Sequence, residues 1–157
     1  KLGGITMQLL TFTLSKVKYG IPIQDVQSIE KRIQAVGIPN VLPYIKGIMN
    51  LHGSIVPIYS LAAKFGYPEQ DIQNIVVTDV NGMLVGFEVC KVDAILSVGG
   101  EHIIPMPEVI SDTQHYMPDV ANYQKDLIVM LDVGKLITEE EQRDLQKLLE
   151  ESDANKK

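Results

Sequence analysis

The chain has 157 residues, of which 45% are hydrophobic and 22% charged, the balance of a single globular domain with a real core. Its formal charge of −6 comes without the clustered Lys and Arg that nucleic acid or an anionic membrane surface requires. Cys90 is the one cysteine, which excludes an intrachain disulfide, and no apolar run approaches the ~20 residues that cross a bilayer as a helix.

The first residues, Lys1 to Met7, lack the charged-then-apolar pattern of a signal peptide, and the lone thiol fits a reducing compartment. A cytoplasmic protein is expected, with one domain over residues 1–151 and a frayed polar tail over 152–157. Met7 to Leu14 alternates as a strand does, and Lys16 to Ile23 supplies its partner across Ser15. Ile23, Val26, Ile29 and Ile33 then recur three and four residues apart. That spacing fits a short helical turn or an irregular apolar edge, and periodicity does not choose between them.

From Pro39 to Leu61 the chain is the most informative. Two apolar runs, Ile48 to Leu51 and Ile55 to Tyr59, flank a polar break containing Gly53, the pattern of a β-hairpin whose turn needs positive φ. Pro39 and Pro43 stiffen the approach to it. Pro57 cannot donate to a ladder, so the second run is expected at a sheet edge or at a bulge. Leu61 to Phe65 predicts a brief helix stopped by Gly66 and Pro68, followed by a polar loop over Tyr67 to Gln73.

Ile75 to Asp79 and Met83 to Val92 read as two strands joined by Asn81-Gly82, a strong type I′ turn signal. Val92 to Val98 continues as strand or bulge until Gly99-Gly100 breaks it. Glu101 to Gln124 is rich in Pro, Asp and Met without a sustained period, and loops with at most one helical turn are expected there. Leu127 to Val133, apolar except for Asp132, predicts a buried last strand. Thr138 with Glu141 spells a capping box, and Leu145, Leu148 and Leu149 draw an apolar stripe along a C-terminal helix. Many short strands and one late helix point to small barrels or a sandwich.

Chemistry-bearing residues are sparse. A catalytic thiol needs a base within reach and an electropositive setting. None of His52, His102 and His115 stands in such a context, so Cys90 is read as a buried small hydrophobe. The histidines lack metal-ligand spacing, and Glu101-His102 is an isolated dipeptide. Gly99-Gly100 has no following Lys-Ser/Thr and is a turn rather than a phosphate loop. The acids Glu139 to Glu141 suit the positive end of a helix dipole. No catalytic, metal or cofactor site is expected, and a small β-barrel enzyme with Cys90 as nucleophile is the rival class.

Tyr44-Ile45-Lys46-Gly47, then Asn50-Leu51, then Gly53-Ser54-Ile55-Val56-Pro57-Ile58 resemble the signature of the CheW family, the adaptors that couple bacterial chemoreceptors to their histidine kinase. Tyr19-Gly20-Ile21 with Val26-Gln27, Val85-Gly86 through Ile95-Leu96, and Leu127 to Leu136 resemble further blocks of that family in the same order. The likeness therefore covers nearly the whole chain. It implies a mainly β fold of two intertwined five-stranded, SH3-like barrels that share an apolar seam, with a C-terminal helix nearby. It also implies a non-enzymatic scaffold with two partners, the CheW-like regulatory domain of the histidine kinase CheA and the cytoplasmic helical hairpin tip of a chemoreceptor.

By the same resemblance, Val26, Ile29, Val92 and Ile95 fall where the family places receptor-facing groove residues between the barrels. Core packing is the competing reading for each. Gly47, Gly53 and Gly86 match family glycines, and backbone conformation is the preferred explanation for the first two. Two positions depart from the pattern: His52 stands where an arginine is usual, and Ser28 where an acid is common. An arginine offers a permanent charge and a fork of donors that a histidine near pH 7 does not. The edge near Pro57 and the Asn81-Gly82 hairpin are expected on the kinase side. A CheW-like module from a larger chemotaxis protein fits the same residues.

Overall fold

The computed structural model describes residues 5–32, 35–37, 42–107 and 115–155, so the expectations for Ile33 and Pro39, and for residues 156–157, lie outside the described residues. Strands β1 (Thr6–Leu14) and β2 (Val17–Pro22) pair antiparallel around Ser15 and Lys16, whose φ angles of 51° and 65° make the tight turn expected there. A 3₁₀ turn at Ile23–Asp25 leads into β3 (Val26–Lys31). β4 (Ile45–Leu51) and β5 (Ser54–Ser60) form the predicted hairpin, with His52 and Gly53 at φ of 51° and 92°.

Helix α1 (Leu61–Lys64) is capped by Ser60, whose Oγ accepts the Ala63 N–H at 3.1 Å, and Gly66 beyond it takes φ of 78°. β6 (Asn74–Val80) and β7 (Met83–Val89) meet at Asn81-Gly82, both at positive φ as a type I′ turn demands. β8 (Lys91–Gly99), β9 (Ile103–Pro105), β10 (Asp119–Tyr123) and β11 (Asp126–Met130) follow. Then come α2 (Val133–Leu136) and the C-terminal α3 (Glu139–Asn155), so the helix itself runs through the start of the segment expected to fray.

The strands make two sheets, ordered β8-β1-β2-β11-β10-β9 and β3-β6-β7-β5-β4. Each curls around its own apolar cluster: Leu9, Val98, Ala121, Ile128 and Met130 fill the first, and Met49, Leu51, Val56, Ile58, Ile75 and Val77 the second. A third, larger cluster lies between them and draws on both sheets, with Leu10, Phe12, Tyr19 and Ile21 meeting Tyr59, Val76, Val85 and Phe87. The architecture is thus mainly β, two small barrels with a shared seam. Rings reinforce the seam: Phe12 stacks on Tyr19 at 5.7 Å and Tyr59 meets Phe87 edge-on at 5.5 Å, arrangements worth about 0.5–1.5 kcal/mol beyond burial. Leu145 of α3 is buried in the same cluster, with Leu148 and Leu149 packed beside it.

Four expectations need correction. β5 is an interior strand, between β7 and β4, and the register shift on its β4 side falls at Ile45/Gly47 rather than at Pro57. Proline is tolerated because the Ser60 N–H donates to Tyr44 O on the β4 side. By alternation the Pro57 nitrogen faces β7, which pairs only from Ile58 onward. Asp119–Tyr123, within the stretch read as loop for its Pro, Asp and Met and its lack of period, is a strand held by β9 on one side and β11 on the other, so pairing overrides propensity. The last strand is only partly buried: Asp126 and Leu127 at its start are exposed, Leu127 to 62%, while Ile128 and Met130 turn into the first barrel. Cys90 is half-buried at the bend where the chain crosses from one sheet to the other, not inside a strand. The Asn81-Gly82 turn is exposed, as expected, and Asn81 Nδ2 donates to Gln142 Oε1 of α3 at 3.2 Å.

A candidate partner-binding groove

β3 and β8 each lie at one edge of their sheets, and each carries a bulge at an equivalent place. In β3 the register shifts between Val26 and Ser28, which leaves Val26 opposite Thr78 and Ile29 opposite Val76. In β8 the shift leaves Val92 opposite Phe12 and Ile95 opposite Leu10. Directly opposed residues share a face, and Thr78 with Val76, like Phe12 with Leu10, lie two apart on one strand. An extra residue in each edge strand therefore returns a three-residue spacing to a single face. This is the physical origin of the Val26/Ile29 interval that resembled a helical period.

All four apolar side chains consequently face the seam between the barrels. Val26 and Val92 are half-buried and pack against the seam core, whereas Ile29 and Ile95 remain 43% and 56% exposed. The two edges are tied together at one end by Asn74, whose Oδ1 accepts the Val92 N–H at 3.2 Å and whose Nδ2 donates to Glu30 O at 3.5 Å. At the other end the Ile23–Asp25 turn packs against both β1 and β6. Asp25 sits there with its carboxyl held above the usual range, first by burial and then by Asp132 and Asp79.

Ser28 points the other way. It lies opposite Val77, which belongs to the interior of the second barrel, and its buried Oγ has no hydrogen-bond partner among the described residues. His52 is exposed at the β4–β5 turn and makes no hydrogen bond or ion pair with Ser28. The structure brings Val26, Ile29, Val92 and Ile95 to one face and leaves Ser28 and His52 off it.

The three glycines differ in their reasons. Gly47 is at φ of 156° where a Cβ would meet Val36 O at 2.4 Å, Gly53 is at φ of 92° in open space, and a Cβ at Gly86 would meet the buried Ile75 Cγ2 at 2.8 Å. Two are backbone demands and the third is a packing demand.

The reactive side chains are dispersed. The Cys90 thiol donates to Gln70 Oε1 at 3.3 Å, His102 lies 3.5 Å from Glu101, and His115 packs edge-on to Tyr116. Among the described residues no group of three His, Cys, Asp or Glu gathers where a metal could bind, and no helix is long and apolar enough to cross a membrane. A polar cavity of about 330 Å³ opens between Arg32, Lys46, Ser60, Tyr67 and Glu88. Burial there raises the Glu88 carboxyl above its ordinary range, while Lys46 and Arg32 pull it down.

A second surface escaped sequence reasoning. Ile104 stands opposite Val120, and Val120 opposite Val129, so a cross-strand apolar row spans β9, β10 and β11, with Leu127 two residues from Val129 on the same face. Ile104 is 50% exposed. The signal was present in the alternation of Leu127 and Val129, but the row exists only once 119–123 is seen to be a strand.

The CheW-like domain profile matches residues 8–141. The chain belongs to the CheW family. It is 34% identical over 149 residues to a chemotaxis protein CheW of Klebsiella aerogenes, covering 90% of this chain and 89% of that one. A CheW of Treponema pallidum is 30% identical over 149 residues, covering 90% and 86%. Among solved structures, the scaffolding protein TtCheW of Thermoanaerobacter tengcongensis superposes with a TM-score of 0.79 at 25% identity, over 87% of this chain and 96% of that one. The CheW profile spans both sheets, so the groove and the β9–β11 row lie inside the family domain rather than in an appended segment.

Proposed function

We propose that this chain is a non-enzymatic chemotaxis adaptor that couples the cytoplasmic tips of chemoreceptors to the histidine kinase CheA. The observation that carries the reading is the groove between two bulged edge strands, with Ile29 and Ile95 exposed above Val26 and Val92. An apolar trough of this kind suits an amphipathic helix, and a receptor tip is a helical hairpin. The names of the relatives support the same reading, since they are chemotaxis proteins and a scaffolding protein.

The kinase contact belongs on a second apolar surface, away from the groove. Pro57 is buried in an interior strand, so it does not offer the free edge expected for that contact. The row Ile104, Val120 and Leu127 does, and it faces a partner built as a CheW-like barrel. With separate surfaces, both partners bind at once, and a receptor shift reaches the kinase through contacts whose free energy differs between its two states. The protein acts in the cytoplasm, at membrane-bound receptor arrays through its partners.

The test is reconstitution. A receptor cytoplasmic fragment and the CheA regulatory domain, combined with this protein, co-elute as a ternary complex that neither pair forms without it. Absence of that complex, or turnover of a substrate dependent on Cys90, refutes the reading.

A further inference from the structure

The geometry points to Asn74 as the positioning residue that sets the width of the groove, an inference that rests on the receptor reading above. Asn74 opens β6, in the second barrel, with Lys31 of β3 opposite it on one side and Val89 of β7 on the other. Its carboxamide reaches out of that barrel. Oδ1 takes the Val92 N–H of edge strand β8, and Nδ2 turns back to Glu30 O on edge strand β3. One side chain thus touches both lips of the groove, and it does so with both ends of an amide, which few residue types could manage.

The neighbouring backbone makes this a firm anchor. Gln73 N–H donates to Val89 O and Cys90 O, both at 3.2 Å, and Cys90 N–H donates to Thr13 O at 3.1 Å. The crossover from β7 to β8 is therefore clamped to the start of β6 on one side and to β1 on the other. Asn74 extends that clamp by two residues, to Val92, which is where the apolar lining of the groove begins. The Ile29 and Ile95 backbones sit in the β3–β6 and β8–β1 ladders, so the separation of the two side chains follows from how β3 and β8 are fixed relative to one another. A receptor helix that must seat on both needs that separation set in advance, and preorganisation of this kind preserves affinity by removing an ordering cost.

Asn74→Leu, close in shape but without donor or acceptor, and Asn74→Asp, which keeps the acceptor for Val92 and gives up only the longer 3.5 Å bond to Glu30 O, separate the role from mere packing. Binding of a receptor cytoplasmic fragment and of the kinase regulatory domain is measured for each, with hydrogen exchange at the Val92 amide. Expected for N74L are receptor binding weaker by about tenfold, kinase-domain binding within about twofold of wild type, and faster exchange at Val92. N74D should restore receptor binding to within about threefold. An N74L protein that binds the receptor fragment as wild type does overturns the proposal alone. Equal loss of both partners, or N74D as weak as N74L, overturns it as well, since the effect would then not run through the Val92 bond. Wild-type protein that ignores the receptor fragment overturns the groove reading first, and the proposal with it.

Discussion

The Val36 carbonyl lies directly over Gly47, so that a Cβ built at residue 47 would stand 2.4 Å from Val36 O. The contact exists because Val36 and Ile48 exchange both backbone hydrogen bonds, N to O at 2.9 and 3.1 Å, beside the bulge in β4. The obstruction is backbone, not the end of a flexible side chain, and φ of 156° is itself hard for an L residue. Gly47→Ala is expected to cost about 2–3 kcal/mol in urea unfolding. A loss below about 0.5 kcal/mol would show that the 35–37 segment moves aside at little cost.

Ile29 and Ile95 are the groove residues whose substitution should report on binding alone. Ile29→Glu or Ile95→Glu is expected to weaken binding of a receptor fragment by at least about tenfold, a cost typical of an interface anchor, with Tm within a few degrees of wild type. Val26→Glu and Val92→Glu behave differently. Both side chains pack against the seam core, so a carboxylate there lowers stability as well as binding. Circular dichroism melts beside the binding isotherms decide it: unfolding of the Ile29 or Ile95 variant counts against an open groove.

The start of α3 is a second testable joint. Thr138 N–H donates to Glu141 Oε1 at 3.0 Å and Glu141 N–H to Thr138 Oγ1 at 3.1 Å, the reciprocal pair of a capping box. Glu141 Oε2 also accepts from the largely buried Tyr59 hydroxyl at 3.2 Å. Thr138→Ala is expected to cost about 1 kcal/mol. Glu141→Ala should cost about 2 kcal/mol, because it also leaves the Tyr59 hydroxyl without its partner. Adding Tyr59→Phe to Glu141→Ala should then cost less than Tyr59→Phe does in the wild type; simple additivity in that cycle would dissociate the two residues.

Glu88 should make stability depend on pH. Burial lifts its carboxyl above the ordinary value of 4.5, with Lys46 and Arg32 opposing the rise. An acid whose pKa increases on folding holds more protons folded than unfolded between the two values. Its burden on the fold is therefore greatest once pH exceeds the folded value, and disappears below the unfolded one. Glu88→Gln is expected to raise the urea midpoint near neutral pH, with the gain shrinking as pH falls and gone below about 4. A gain that does not change with pH would place its origin in packing rather than charge.

The local grammar of the chain was legible. Ser15, Asn81-Gly82 and Gly53 marked turns, Thr138 and Glu141 marked a helix start, and Gly66 a helix stop, because each is a property of a few adjacent residues. Family membership was legible too, from the Tyr44–Ile58 block, since that block carries backbone constraints such as the one at Gly47. The groove residues were found by resemblance, but their spacing argued for nothing by itself: Val26 to Ile29 could be a helical turn or a strand.

What neighbouring residues decide, the sequence determined unaided: the turns, the caps and the alternating strands. The tertiary structure alone decided which strands are edges, which is why Pro57 proved interior and Asp119–Tyr123 a strand. It also decided that bulges in β3 and β8 turn Ile29 and Ile95 onto one open face, and that Asn74 spans the gap between them. Those outcomes depend on pairing between segments far apart in the chain, where the free energy comes from burial and hydrogen bonds with partners that no local window contains.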